Sequence, residues 1–96
     1  MDFEIIWTEP AEEDVRTILE YVEERSATGA ITIQQAIMTS VRRLKQFPLS
    51  GTIYAGRARE IVCLSYRIFY RVDEVNKRVE ILSVWHGART DPDLPD

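Results

Sequence analysis

Little in this chain of 96 residues is built for covalent or metal chemistry. It has one cysteine, Cys63, and one histidine, His86. A single cysteine excludes an internal disulfide and suits a reducing compartment. One Cys and one His leave too few soft ligands for zinc. No carboxylate cluster stands where a metal would need it, so neither a metal nor any other cofactor is expected. A Gly-x-Ser-x-Gly elbow and a Cys–His pairing are both missing, which argues against a serine or cysteine hydrolase. No glycine-rich phosphate loop is present. No apolar run approaches the roughly 20 residues that span a bilayer, so no membrane partner is expected. The start, Met1-Asp2-Phe3-Glu4, lacks the basic and apolar regions of a secretory signal, and the cytoplasm is the expected location.

Net charge is −4, from 12 basic and 16 acidic residues. Its distribution says more than its total. Residues 1–26 carry 9 acidic and 2 basic side chains, and residues 27–56 carry 3 basic and no acidic ones. Residues 57–89 carry 7 basic and 4 acidic, and the last seven residues hold three aspartates. A strongly basic nucleic-acid binder would not have this composition, although a local cationic face is compatible with it.

The last third organises the rest. Tyr66, Ile68, Tyr70 and Val72 alternate with Arg67, Phe69 and Arg71. Val79, Ile81, Ser83 and Trp85 alternate with Glu80, Leu82, Val84 and His86. Period-two patterning in β-branched and aromatic residues predicts two strands. A four-residue hairpin loop follows if Val72 faces Val79, because Asp73 then meets Arg78 and Arg71 meets Glu80, both pairs of opposite sign. In that register the first sets form a core face. Arg67, Phe69 and Arg71 lie with Glu80, Leu82, Val84 and His86 on a mixed, cationic and aromatic face.

Upstream, Phe3, Ile5 and Trp7 predict a short first strand. Thr8 suits an N-cap, Pro10 a first helical turn, and Ala11, Val15, Ile18, Leu19 and Val22 share one face, predicting a helix to about Arg25. After the break at Ser26–Gly29, Thr28 is the expected cap of a second helix. Ala30, Ile33, Ile37, Val41, Leu44 and Phe47 repeat at helical spacing until Pro48 stops it. The two helices form an antiparallel hairpin. Arg42, Arg43 and Lys45 in the last turns offset the helix dipole or bind a ligand. The segment from Pro48 to about Gly56 reads as loop, and Arg59–Leu64 as the second strand. Leu64-Ser65 would be an unusual hairpin turn, since neither residue favours positive φ. The expected fold is α+β, β-αα-βββ: a helical hairpin on one face of a mainly antiparallel four-stranded sheet. Residues 1–96 form one domain, with a loose acidic tail at about 90–96.

Two groups could carry chemistry. The His86 imidazole can move a proton near neutral pH, and the Arg67 guanidinium, with Arg71 and Arg89 close by, can hold a phosphate. Together they would suit RNA cleavage by attack of the 2′-hydroxyl. The plainer alternative is a packing histidine at a strand end and arginines that are solvated or paired, as Arg71 with Glu80.

Several stretches in this order resemble the RelE/ParE superfamily, the toxins of bacterial type II toxin–antitoxin modules. They are Trp7-Thr8-Glu9-Pro10-Ala11 with its acidic helix, Phe47-Pro48-x-x-Gly51, Arg59-Glu60-Ile61, Tyr66 to Val72, and Ile81 to Arg89. The likeness runs from the first strand to Arg89. It implies one of two activities: ParE-like protein–protein inhibition of DNA gyrase, or RelE-like cleavage of mRNA on the ribosome. A toxin-fold protein kept only for antitoxin binding is a third reading. In the resemblance Arg67 matches the arginine that ribonuclease members use at the scissile phosphate, and His86 their C-terminal histidine. The chain departs from them elsewhere. Gly87 stands where nucleases often carry a tyrosine, the 48–57 loop offers only Arg57, and the tail is acidic rather than basic. Phosphate contacts dominate ribosomal affinity, so the charge places the chain nearer the ParE-like side. A cognate antitoxin is the implied partner, its acidic segment pairing with Arg59, Arg67, Arg71 and Arg89, in a hetero-oligomer or beside a toxin homodimer.

Overall fold

The computed structural model describes residues 2–87. Arg89 and the tail expected at about 90–96 lie outside them. The elements are β1 (Glu4–Trp7), α1 (Glu9–Glu23), α2 (Ala27–Arg42), a 3-10 turn (Arg43–Lys45), β2 (Thr52–Ala55), β3 (Ala58–Cys63), β4 (Tyr66–Asp73) and β5 (Arg78–His86). The strands form one sheet in the order β1-β5-β4-β3-β2. Neighbours are antiparallel except β1 and β5, which are parallel. The α+β architecture agrees with the sequence reading, but among the described residues there are five strands, not four. The fifth, Thr52–Ala55, falls in the segment read as loop. Only four residues long and bounded by Gly51 and Gly56, it is too short for alternation to announce it.

Both helices begin at side-chain caps. Thr8 has extended backbone, receives the Ala11 amide at 3.4 Å, and donates its own hydroxyl to the Ile81 carbonyl at 2.7 Å, which ties α1 to β5. α2 starts two positions earlier than Thr28 would allow, because Ser26 is the extended residue and accepts from the Gly29 amide at 2.9 Å. Thr28 lies inside the first turn, where its carbonyl accepts the Thr32 hydroxyl. Ala11 and Val15 from α1, and Ala30, Ile37 and Val41 from α2, are buried with Leu44 against the sheet. Across from them stand Tyr66, Ile68, Tyr70, Val79, Ile81 and Val84. Each large apolar side chain buried this way contributes about 1.5–3 kcal/mol.

The β4–β5 hairpin carries the expected pairs Val72–Val79, Asp73–Arg78 and Arg71–Glu80. Asp73 accepts from the Asn76 amide and side chain at 3.1 and 2.8 Å, which closes the turn. These bonds to Asn76 hold the Asp73 carboxyl below its ordinary value. Beyond Tyr70–Ile81 the register shifts, so that Phe69 pairs with Ser83, Ile68 with Val84, Arg67 with Trp85 and Tyr66 with His86. Leu82 is the inserted residue of a β-bulge, which reverses the phase of alternation for the rest of β5. The tight turn between β3 and β4 does put Leu64 in the left-handed region at φ 57°.

Candidate functional site

The bulge changes the face on which His86 lies. His86 was expected on the same face as Arg67, but opposite residues of an antiparallel pair share a face and successive residues do not. His86 therefore shares the helix-covered side with Tyr66, its ring edge-on at 5.5 Å and 89°. Arg67 projects on the outer side with Trp85 opposite. The two groups that would have to converge on one phosphate are separated by the thickness of the sheet.

On the outer face, Arg67 donates from Nε to Glu60 and is about four-fifths covered. Its guanidinium lies 5.0 Å from the Phe69 ring centroid and 5.6 Å from that of Tyr54. Those two rings stack edge-on at 4.9 Å. Contacts of this type contribute about 0.5–2 kcal/mol. Arg71 donates to Glu80 at 3.0 Å, as its place in the hairpin register predicts. The face is thus cationic and aromatic by composition, but each of its arginines is engaged by a carboxylate. An incoming phosphate would have to compete with Glu60 for Arg67.

Arg59 does not join them. It pairs with Tyr70 across β3 and β4, on the helix side. There it donates to the Leu49 and Gly51 carbonyls at 3.3 and 2.8 Å. Tyr70, fully buried, completes the clamp: its hydroxyl donates to the Pro48 carbonyl and accepts from the Gly51 amide, both at 2.8 Å. Burial raises the Tyr70 hydroxyl above its ordinary value, against the opposing pull of the Gly51 hydrogen bond and the Arg59 charge. A Cβ on residue 51 would fall 2.8 Å from both the Glu60 carbonyl and Tyr70 Cε1. The Phe47-Pro48-x-x-Gly51 stretch therefore has a structural meaning: it is the loop that Tyr70 and Arg59 hold.

A second surface, not anticipated, opens on the helix side at the far end of β5. β1 pairs with β5 only through Ile81. Past that point the β5 edge is served by α1: Asp14 accepts from the Ser83 hydroxyl at 2.8 Å and the Val84 amide at 3.0 Å. Beside this contact lies a groove of about 640 Å³, lined by Asp14, Thr17, Tyr21, Tyr66, Trp85 and His86 among others. Burial, with the nearby Tyr21 hydroxyl, raises Tyr66 above its ordinary value, so the phenol stays protonated near neutral pH. The sequence reading did not single out Asp14. The signal that could have found it is its place three residues after Ala11 and next to Val15, the two buried positions of α1, on the strand-facing side of the helix.

Comparison with known proteins agrees with this architecture. A family model described as the ParE toxin of the type II toxin–antitoxin system parDE matches residues 5–91. No curated protein matches the sequence. Among solved structures, the chain is similar to the RelBE2 toxin–antitoxin complex of Mycobacterium tuberculosis, at 20% identity and TM-score 0.62, covering 90% of this chain and 99% of that one. It is similar to the chromosomal ParDE system of P. aeruginosa, at 22% identity and TM-score 0.74, covering 88% and 95%. It also resembles a free mutant of the E. coli toxin RelE, at 16% identity and TM-score 0.69, covering 92% and 86%. At these identities the structural likenesses speak for the fold.

Proposed function

The chain belongs to the ParE toxin family of type II toxin–antitoxin systems, and from that premise we propose that it acts by protein–protein inhibition of DNA gyrase, without catalysis of its own. The observation that carries this reading is the separation of His86 from Arg67 by the bulged sheet. Ribosome-dependent mRNA cleavage needs a proton-transfer group and a phosphate-binding cation on the same side of the scissile bond. Here the imidazole and the guanidinium face opposite ways, and Glu60 already holds Arg67. The net charge of −4 also disfavours docking among ribosomal phosphates. Arg67 and Arg71 remain candidates for contact with target or antitoxin, through the outer face of the sheet.

The toxin is neutralised in this reading by a cognate antitoxin, which covers exposed apolar side chains of the helical hairpin such as Tyr21 and Ile31. Its acidic residues displace Glu60 and Glu80 as partners of Arg67 and Arg71. Among the described residues no helix is long and apolar enough to cross a membrane, and the site of action would be the cytoplasm, with gyrase.

The deciding experiment is cell-free translation with purified, antitoxin-free protein, on a template whose expression does not require gyrase. Unimpaired translation, with inhibition in a gyrase supercoiling assay, is the expected result. Ribosome-dependent cleavage of the mRNA would overturn the proposal. Silence in both assays would leave a toxin fold kept for antitoxin binding alone.

A further inference from the structure

We propose that the groove between α1 and the open end of β5 receives a cationic side chain, an arginine or lysine, presented by a protein partner. The site needs no assumption about which target the toxin poisons.

Its chemistry suits an organic cation. Tyr21, Tyr66 and His86 bring aromatic rings to one concavity, and Asp14 brings a carboxylate. An aromatic wall attracts a guanidinium or ammonium through its ring quadrupole, more strongly where water is partly excluded. The volume of about 640 Å³ is ample for a long side chain and the backbone that carries it. Asp14 is also preorganised. Both of its hydrogen bonds, from Ser83 and the Val84 amide, go to Oδ2, which fixes the carboxylate while Oδ1 takes no donor among the described residues.

Two further observations point the same way. Residues 1–26 carry 9 acidic and 2 basic side chains, so the wall that α1 supplies is the most negative region of the chain and would draw a cation toward it. The protein also shows the interaction once with its own residues. Arg25 lies with its guanidinium carbon 3.7 Å from the Tyr21 ring centroid at the rim, held by a 2.8 Å bond to the Tyr21 carbonyl. Arg25 is itself offset by Glu24 at 3.8 Å, which limits its repulsion of an incoming charge. In this account the histidine that would have been a proton carrier is one wall of a binding site.

The test is an NMR titration of the isotope-labelled full chain with N-acetyl-arginine amide, against N-acetyl-citrulline amide as the uncharged isostere. The expected result is saturable shifts confined to Thr17, Tyr21, Tyr66 and His86, with citrulline roughly tenfold weaker or worse. Asp14→Asn keeps an oxygen to accept from Ser83 and Val84 and removes only the charge, so it should fold and lose about tenfold in arginine affinity. Glu20→Gln makes the same charge change on α1 outside the groove and should leave the affinity as it was. Equal binding of citrulline, shifts spread along α1, or equal losses in the Asp14 and Glu20 variants would each overturn the site in favour of diffuse acidic attraction. An absence of shifts at millimolar ligand would overturn it outright.

Discussion

Replacing Tyr70 by phenylalanine removes one oxygen atom and tests whether that atom organises the loop before β2. The ring is fully buried and packs in the core, so Tyr70→Phe leaves its apolar contacts in place. What is lost is the bond to the Pro48 carbonyl and the bond from the buried Gly51 amide, both of 2.8 Å. A buried amide left without a partner costs about 1–3 kcal/mol. Pro48 is only half-buried and can turn to water, so its share is smaller. The sum is roughly 2–3 kcal/mol, a large fraction of the ~5–15 kcal/mol that holds a domain of this size. In urea, with a slope of about 1–3 kcal/mol per molar, the midpoint should fall by roughly 1–2 M at unchanged slope. A fall worth under ~0.5 kcal/mol would refute the reasoning, since it would mean that the hydroxyl is replaceable by solvent. The pH dependence gives a second check. Burial raises Tyr70 above its unfolded value of 10.0, so the folded state holds this proton more tightly. Stability from this source is complete below about pH 10 and drains away as pH rises through the folded value. The phenylalanine variant should lack that component, with the raised Tyr66 still contributing to the alkaline decline.

Gly51→Ala should destabilise by at least ~1–3 kcal/mol through overpacking against Tyr70 and the Glu60 carbonyl. Combined with Tyr70→Phe, its cost in thermal melts should be less than additive, because the nearest obstruction is the hydroxyl itself. Leu64 is 61% exposed at φ 57°, so Leu64→Asn should relieve backbone strain without loss of packing and raise stability by about 0.5–1 kcal/mol in the same assay. Any destabilisation would show that Leu64 makes a contact that its exposure conceals. His86→Ala should reduce growth inhibition by less than tenfold, whereas removal of a general acid or base costs roughly 10²–10⁴-fold. A loss of that size with the fold intact would restore the nuclease reading.

Most of the scaffold was legible because its signals are local. The helix faces, the Thr8 cap and the opposite-sign pairs of the β4–β5 turn each lie within a few residues of one another, and the structure keeps them, except Phe47, which falls past the end of α2 and is 58% exposed. The site was not legible, because it turns on one inserted residue. Ile81, Leu82 and Val84 are all apolar and all buried, so alternation along β5 looks continuous while the strand has changed phase beneath it. The cause lies some 70 residues upstream. β1 stops pairing at Trp7, and from there α1 supplies what a strand would have supplied. Thr8 donates from its amide and hydroxyl to the Ile81 carbonyl, and Asp14 accepts from Ser83 and Val84. Those partners hold the bulge where it is, and the bulge turns His86 away from Arg67. The same contacts thus part His86 from Arg67 and form one wall of the groove on the helix side. If Asp14 and Thr8 were both replaced by alanine, the register beyond Ile81 would lose the partners that define it. An altered Tyr66–His86 pairing in nuclear Overhauser contacts is the expected outcome, and an unchanged pairing would show that β4 alone sets the phase of β5.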